Sequence, residues 1–294
     1  MGILSQGFLA PLRNRASLSA ELVAFPHTVF ALPFAFMGML LGAGGLPTLS
    51  ELIWITLAMV GARTAAMSFN RIADSSYDAK NPRTSGRPLP SGRMMIGSAV
   101  ALMAASCGLF LLACWALGPL CLALSPLALG IVLSYSYTKR FTWLTHLYLG
   151  LALAVAPVGA WIAVGGPLSP VPLLLAFAVL CWTAGFDLIY SCQDAAFDRN
   201  HHLQSIPARF GTAAALRLSS ILHVLMVLAL IGVAITVPLS GFYLAGLALT
   251  AAVLFYEHSI VRPDDLSRVN VAFFTLNGWV AVILLLATLI DLLA

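Results

Sequence analysis

Asn70, Asp74 and Asp78 recur every four residues in NRIADSSYDAKNPRTSGRPLPSG (70–92), and a second set, Asp187, Asp194 and Asp198, follows in FDLIYSCQDAAFDRN (186–200) with Tyr190 among them. A step of four residues drifts only about 40° around a helix, so each set presents its oxygen atoms along one face. Both sets close apolar stretches, where carboxylates are costly unless a cation or a cavity receives them. Two such faces at one membrane depth would repel across a low dielectric, which requires positive charge between them. Hard oxygen ligands favour Mg2+ or Ca2+, and Mg2+ takes few carboxylates, completing its shell with water and substrate phosphate oxygens.

The residues just beyond the acids are basic: Arg83 and Arg87 after the first set, Arg199 and Arg209 after the second, and Lys139 with Arg140 in YTKR. Guanidinium forks match phosphate oxygens, and with metal ions they would stabilise charge on a departing diphosphate. The same bases are also what membrane orientation demands of cytoplasmic loops. Arg63 stands seven residues before Asn70, on nearly the same helical face. A charge in mid-helix points into a cavity, where it balances an acid or holds the carboxylate of an acceptor.

The elements that must position these groups are membrane helices. Hydrophobic residues make up 61% of the chain and charged residues 9%, a balance that excludes a soluble domain, and the long continuous apolar runs exclude a β-barrel. The expected fold is all-α and integral to the membrane, one domain over 1–294 with nine spans. These run at about Leu18–Leu41, Leu52–Ala73, Met95–Leu117, Leu120–Tyr137, Leu144–Val164, Val171–Cys192, Ala213–Val237, Gly241–Ser259 and Val269–Leu293. In this arrangement every basic cluster falls on one side, which sets the N-terminus and both acidic motifs in the cytoplasm and the C-terminus outside an inner membrane. Arg13 and Arg15 precede a first run read as a retained helix and not as a signal peptide.

Other residues read more plainly. Cys107, Cys114, Cys121, Cys181 and Cys192 lie in apolar runs without a CxxC pair, as small core residues with no disulfide or zinc site. His201 and His202 read as solvent-exposed, and His27 as a hydrogen-bonding residue within the bundle. Phe30, Phe34, Tyr135, Trp161 and Trp182 serve packing or anchor the interfaces. The net charge of +4 belongs to loops at the membrane, and no nucleic-acid partner is expected.

NRIADSSYDAKNPRT with RPLPSG resembles the N(D/R)xxDxxxD signature of the UbiA superfamily of intramembrane prenyltransferases, and FDLIYSCQDAAFDRN resembles its second, DxxxD-containing signature. HTVFALPF and YTKR are similar to members in quinone biosynthesis, so that the resemblance covers nearly the whole chain. It implies nine helices around a central cavity, and two magnesium ions bridging a polyprenyl diphosphate to Asp74, Asp78, Asp194 and Asp198. It also implies alkylation of an aromatic acceptor in ubiquinone or menaquinone biosynthesis. Asn70 falls in the diphosphate set, and Arg71, where many members have Asp, adds a phosphate contact in place of a metal ligand. The Arg71 variant with SIPARFG points to 4-hydroxybenzoate or 1,4-dihydroxy-6-naphthoate as acceptor, ahead of haem, chlorophyllide or glycerol phosphate lipids. Asp187 is then the expected proton acceptor, with Arg63 and Tyr190 completing the reacting centre. A secondary transporter is the competing class, but transporter acids gather at the midplane and these gather at one membrane face.

Overall fold

The computed structural model describes residues 17–23 and 31–294, and the regular elements among them are helices. A short helical stretch at 17–22 precedes α1 (Ala31–Ala43), which is followed by α2 (Leu49–Asp78), α3 (Ile96–Leu117) and α4 (Pro119–Ser134). Next come α5 (Thr145–Ala163), α6 (Val171–Ser191), the short α7 (Ala195–Asn200) and α8 (Ile206–Phe210), and then α9 (Thr212–Thr236), α10 (Gly241–Ile260) and α11 (Asn277–Leu293). Among the described residues eight helices are long and apolar enough to cross a membrane, and α1 is a shorter apolar helix. Arg13, Arg15, His27 and Phe30 lie outside the described residues.

α2 starts at a capping box in which Glu51 N donates to Thr48 Oγ1 and Thr48 N to Glu51 Oε2. It continues past the expected end at Ala73 to Asp78, so the whole first motif is helical. The second motif departs from expectation. α6 stops at Ser191, a 3₁₀ turn spans Cys192–Asp194, and α7 resumes at Ala195. Three residues per turn instead of 3.6 turn the next segment by about 60°, so Asp187, Asp194 and Asp198 spread over a wider arc than their spacing suggests.

α6 is the most buried spanning helix. It packs between α5 and α9, while α1 packs on α5, α11 on both α10 and α1, and α2 on α3. Small residues permit these crossings: a side chain at Gly150 of α5 would collide with the Leu180 carbonyl of α6, and one at Gly61 of α2 with the α3 backbone at Ser106 and Phe110. Phe34, Trp182, Met226, Leu230 and Leu284 lie in the main core.

Polar side chains tie α6, α9, α10 and α11 together. Trp182 Nε1 donates to Asn277 Oδ1 at 2.6 Å, Asn277 Nδ2 donates to Glu257 Oε1 at 2.8 Å, and His223 Nδ1 lies 3.0 Å from His258 Nε2. Within a membrane such groups are costly without partners, so their mutual bonding specifies how the helices meet. All five cysteines are free.

Candidate active site

The end of α2 delivers Asn70, Asp74 and Asp78 to the same place as the 3₁₀ turn and α7 deliver Asp194 and Asp198. Both oxygens of Asp78 accept from Arg87 Nη1 at 2.8 Å. Asp74 accepts from Asn70 Nδ2 at 2.9 Å and lies 3.5 Å from Arg140 Nη2. Asp194 takes a two-pronged contact from the Arg83 guanidinium, with Nε at 3.0 Å, and a further bond from Asn81 Nδ2 at 3.2 Å. Asp198, buried, faces Lys139 Nζ at 3.2 Å. Each of these four acids thus meets its own base.

The pairing crosses from motif to motif. Asn81 and Arg83 follow the first motif yet hold the second, and the neighbours Lys139 and Arg140 divide, one to Asp198 and the other to Asp74. The positive charge that the sequence requires between the rows is therefore supplied in part by the chain itself. Arg83 also donates to Tyr190 Oη at 2.8 Å, and the Tyr190 ring stacks on Phe273 with centroids 4.2 Å apart. Burial works against the Arg83 charge, but the hydrogen bonds and the charge of Asp194 outweigh it and hold the guanidinium above its ordinary value.

The remaining basic residues are placed differently. Arg71 Nε donates to the Leu22 carbonyl at 3.2 Å, within Coulombic reach of Arg87, Asp78 and Asp74. Arg140 also donates to the Ala73 carbonyl and lies 4.6 Å from the Tyr137 ring centroid. Arg199 Nε donates to the Ala208 carbonyl at 3.3 Å, and Arg209 lies over the Trp143 and Phe210 rings. The last two are not brought onto the acids.

Beneath the acid rows opens a chamber of about 490 Å³, lined by α2 to α5 with Ala176 of α6. Its wall is almost wholly apolar. Arg63, Asn70 and Tyr135 are the groups that bring strong polarity to it, and Asn70 belongs to both the chamber wall and the acid row through Asp74.

Asp187 takes a different partner. Its Oδ2 is 2.7 Å from Nδ1 of His146, a fully buried residue in the first turn of α5. His146 is a member of the site that reasoning from sequence passes over; an ionisable side chain in a membrane helix is the signal that could have found it.

Among the described residues no three His, Cys, Asp or Glu side chains gather closely enough to hold a metal ion by themselves. Carboxylates in two facing rows nonetheless suit Mg2+, which binds through one or two carboxylates and takes its other ligands from water and phosphate.

A charged site opening onto an apolar chamber in a helical bundle defines a multi-pass membrane enzyme. A sequence profile of the UbiA prenyltransferase family matches residues 31–280. The chain belongs to that family and is a prenyltransferase. It is 30% identical over 288 residues to a 4-hydroxybenzoate octaprenyltransferase of Alkalilimnicola ehrlichii, covering 96% of each chain. With a protein of the same name from Alcanivorax borkumensis it shares 33% over 225 residues, 76% of each. The fold superposes on a UbiA homologue from Aeropyrum pernix K1 with a TM-score of 0.82 and 37% identity, covering 90% of this chain and 98% of that one. A UbiA homologue from Archaeoglobus fulgidus, solved bound to GPP and Mg2+, shares the fold with a TM-score of 0.75 at 19% identity, over 94% of this chain and 100% of the other.

Proposed function

We propose that the chain transfers a polyprenyl group from its diphosphate to 4-hydroxybenzoate in a quinone pathway, at a site open to the cytoplasm in the inner membrane. The observation that carries this reading is the double membership of Asn70, which places the acid and base rows at the mouth of an apolar chamber. An isoprenoid chain lies in the chamber and its diphosphate among Arg83, Arg87, Lys139 and Arg140. The relatives' shared name supports the acceptor.

Asp74, Asp78, Asp194 and Asp198 would hold magnesium, which would supply Lewis-acid neutralisation of the diphosphate. The bases bind the diphosphate oxygens and favour departure, in which the allylic C–O bond breaks and its electron pair leaves with diphosphate. Apolar walls keep water from the allylic cation. Arg63 holds the acceptor's carboxylate, and the ring carbon beside the phenol attacks. Asp187 accepts the proton that the ring then loses.

Purified protein in lipid nanodiscs, given an allylic polyprenyl diphosphate, magnesium and a panel of 4-hydroxybenzoate and 1,4-dihydroxy-6-naphthoate, is expected to yield prenylated 4-hydroxybenzoate by mass spectrometry. Chelation with EDTA is expected to abolish the product and added magnesium to restore it. Prenylation of the naphthoate alone would replace the acceptor, and turnover unaffected by EDTA would remove the metal.

A further inference from the structure

His146 makes two contacts that together define its chemical state. Nδ1 lies 2.7 Å from Asp187 Oδ2, and Nε2 accepts the backbone N–H of Ile206 at 3.4 Å. A ring nitrogen that accepts a hydrogen bond carries no proton, so the proton of the neutral imidazole is on Nδ1 and is donated to Asp187. The Asp187 side chain keeps 18% of its surface open while that of His146 has none, so the carboxylate is gripped on one side and still reachable.

The segment that fixes the tautomer is itself fixed. Gln204 N donates to the Lys139 carbonyl at 2.6 Å, and Ser205 Oγ caps α8 by accepting from Ala208 N. Lys139 in turn holds Asp198, so the backbone bond to His146 and the second acid row hang on one loop. The titratable and charged groups around Asp187 are His146 from α5 and Lys139 and Tyr135 from the 3₁₀ turn after α4, and Tyr135 is part of the chamber wall.

We propose that His146 is a positioning residue for prenyl transfer: an imidazole locked as the Nδ1–H tautomer by Ile206 that aims the Asp187 carboxylate by donating to it. This deepens the prenyl-transfer mechanism, since it rests on Asp187 taking the ring proton. It also excludes His146 as a proton relay, because Nε2 is occupied by an N–H group and has no route onward. The ring proton therefore leaves from Asp187 directly.

The test uses the full chain in nanodiscs and the single-turnover rate of acceptor prenylation. His146→Leu is expected to lower that rate by roughly tenfold or more, part of the roughly 10²–10⁴ that a positioned base supplies, with the KM for prenyl diphosphate unchanged. His146→Asn, whose amide nitrogen takes the place of Nδ1, is expected to recover most of the rate. His146→Gln, which mimics Nε2, is expected not to. A Leu variant with wild-type rate, or a Gln variant as active as Asn, overturns the proposal. In the wild-type protein, ¹⁵N-histidine NMR is expected to show His146 protonated at Nδ1 and bare at Nε2; the reverse tautomer or an imidazolium overturns it whether or not the variants fold. A wild type that prenylates no 4-hydroxybenzoate defeats the acceptor reading instead, and the tautomer measurement still judges His146.

Discussion

Arg83 carries the division of labour at this site in a single side chain, for it reaches across 111 residues of sequence to Asp194 and at the same time donates to Tyr190. Hydrogen bonds to charged groups are worth about 1.5–3 kcal/mol. Arg83→Ala is therefore expected to raise the KM for prenyl diphosphate by roughly tenfold to a hundredfold with the KM for the acceptor unchanged, in steady-state kinetics. Arg63 predicts the opposite split. It lines the chamber well below the acid row, seven residues before Asn70, so Arg63→Ala is expected to raise the KM for 4-hydroxybenzoate and to leave diphosphate affinity intact. Equal effects of both variants on both substrates would mean that the two arginines do not serve separate ligands. The acids and their spacing were legible in sequence because a step of four residues maps directly onto a helix face. The partners were not, because Arg83, Arg87, Arg199 and Arg209 have the same side chain and comparable loop positions, and only folding sends two of them onto acids and the other two elsewhere.

The crossing of α5 and α6 decides whether His146 and Asp187 meet. Gly150 lies one turn beyond His146 and touches down on the Leu180 carbonyl, two turns before Asp187. Overpacking a tight contact typically costs about 1–3 kcal/mol. Gly150→Val is expected to destabilise the protein on that scale, lowering its Tm in detergent, and to lower prenyl transfer further than the loss of folded protein explains. A Val variant with unchanged Tm would mean that the helices are not in close contact there. Most spans could be placed from hydropathy to within a few residues, since membrane thickness sets their length. The break at Cys192–Asp194 could not, because CQDAAFD is as compatible with continued α-helix as with a 3₁₀ turn. Nor could the Trp182–Asn277–Glu257 chain, whose members stand on three different helices and carry no periodic signature.

In the whole molecule, the loops that carry the bases converge on one end of the bundle: Arg83 meets Asp194, Lys139 meets Asp198, and Arg93 meets Glu21 near the start of the described residues. In the proposed orientation that end faces the cytoplasm. A cysteine introduced at Ser91 or His202 is expected to react with a membrane-impermeant maleimide only in inside-out vesicles, and one at the exposed Leu168 only in intact cells after outer-membrane permeabilisation. The opposite pattern would invert the protein. Composition was sufficient to indicate a membrane bundle, while the position of the chamber among α2 to α5 depends on long-range packing that no local pattern encodes. The central claim is that both acid rows serve one diphosphate at the mouth of that chamber. A cryo-EM structure with magnesium and an unreactive prenyl thiolodiphosphate tests it most directly. The diphosphate is expected between Asp74 and Asp78 on one side and Asp194 and Asp198 on the other, with the prenyl chain running past Arg63 between α2 and α5. A diphosphate bound to one row alone, or a prenyl chain lying against α9 to α11, would contradict it.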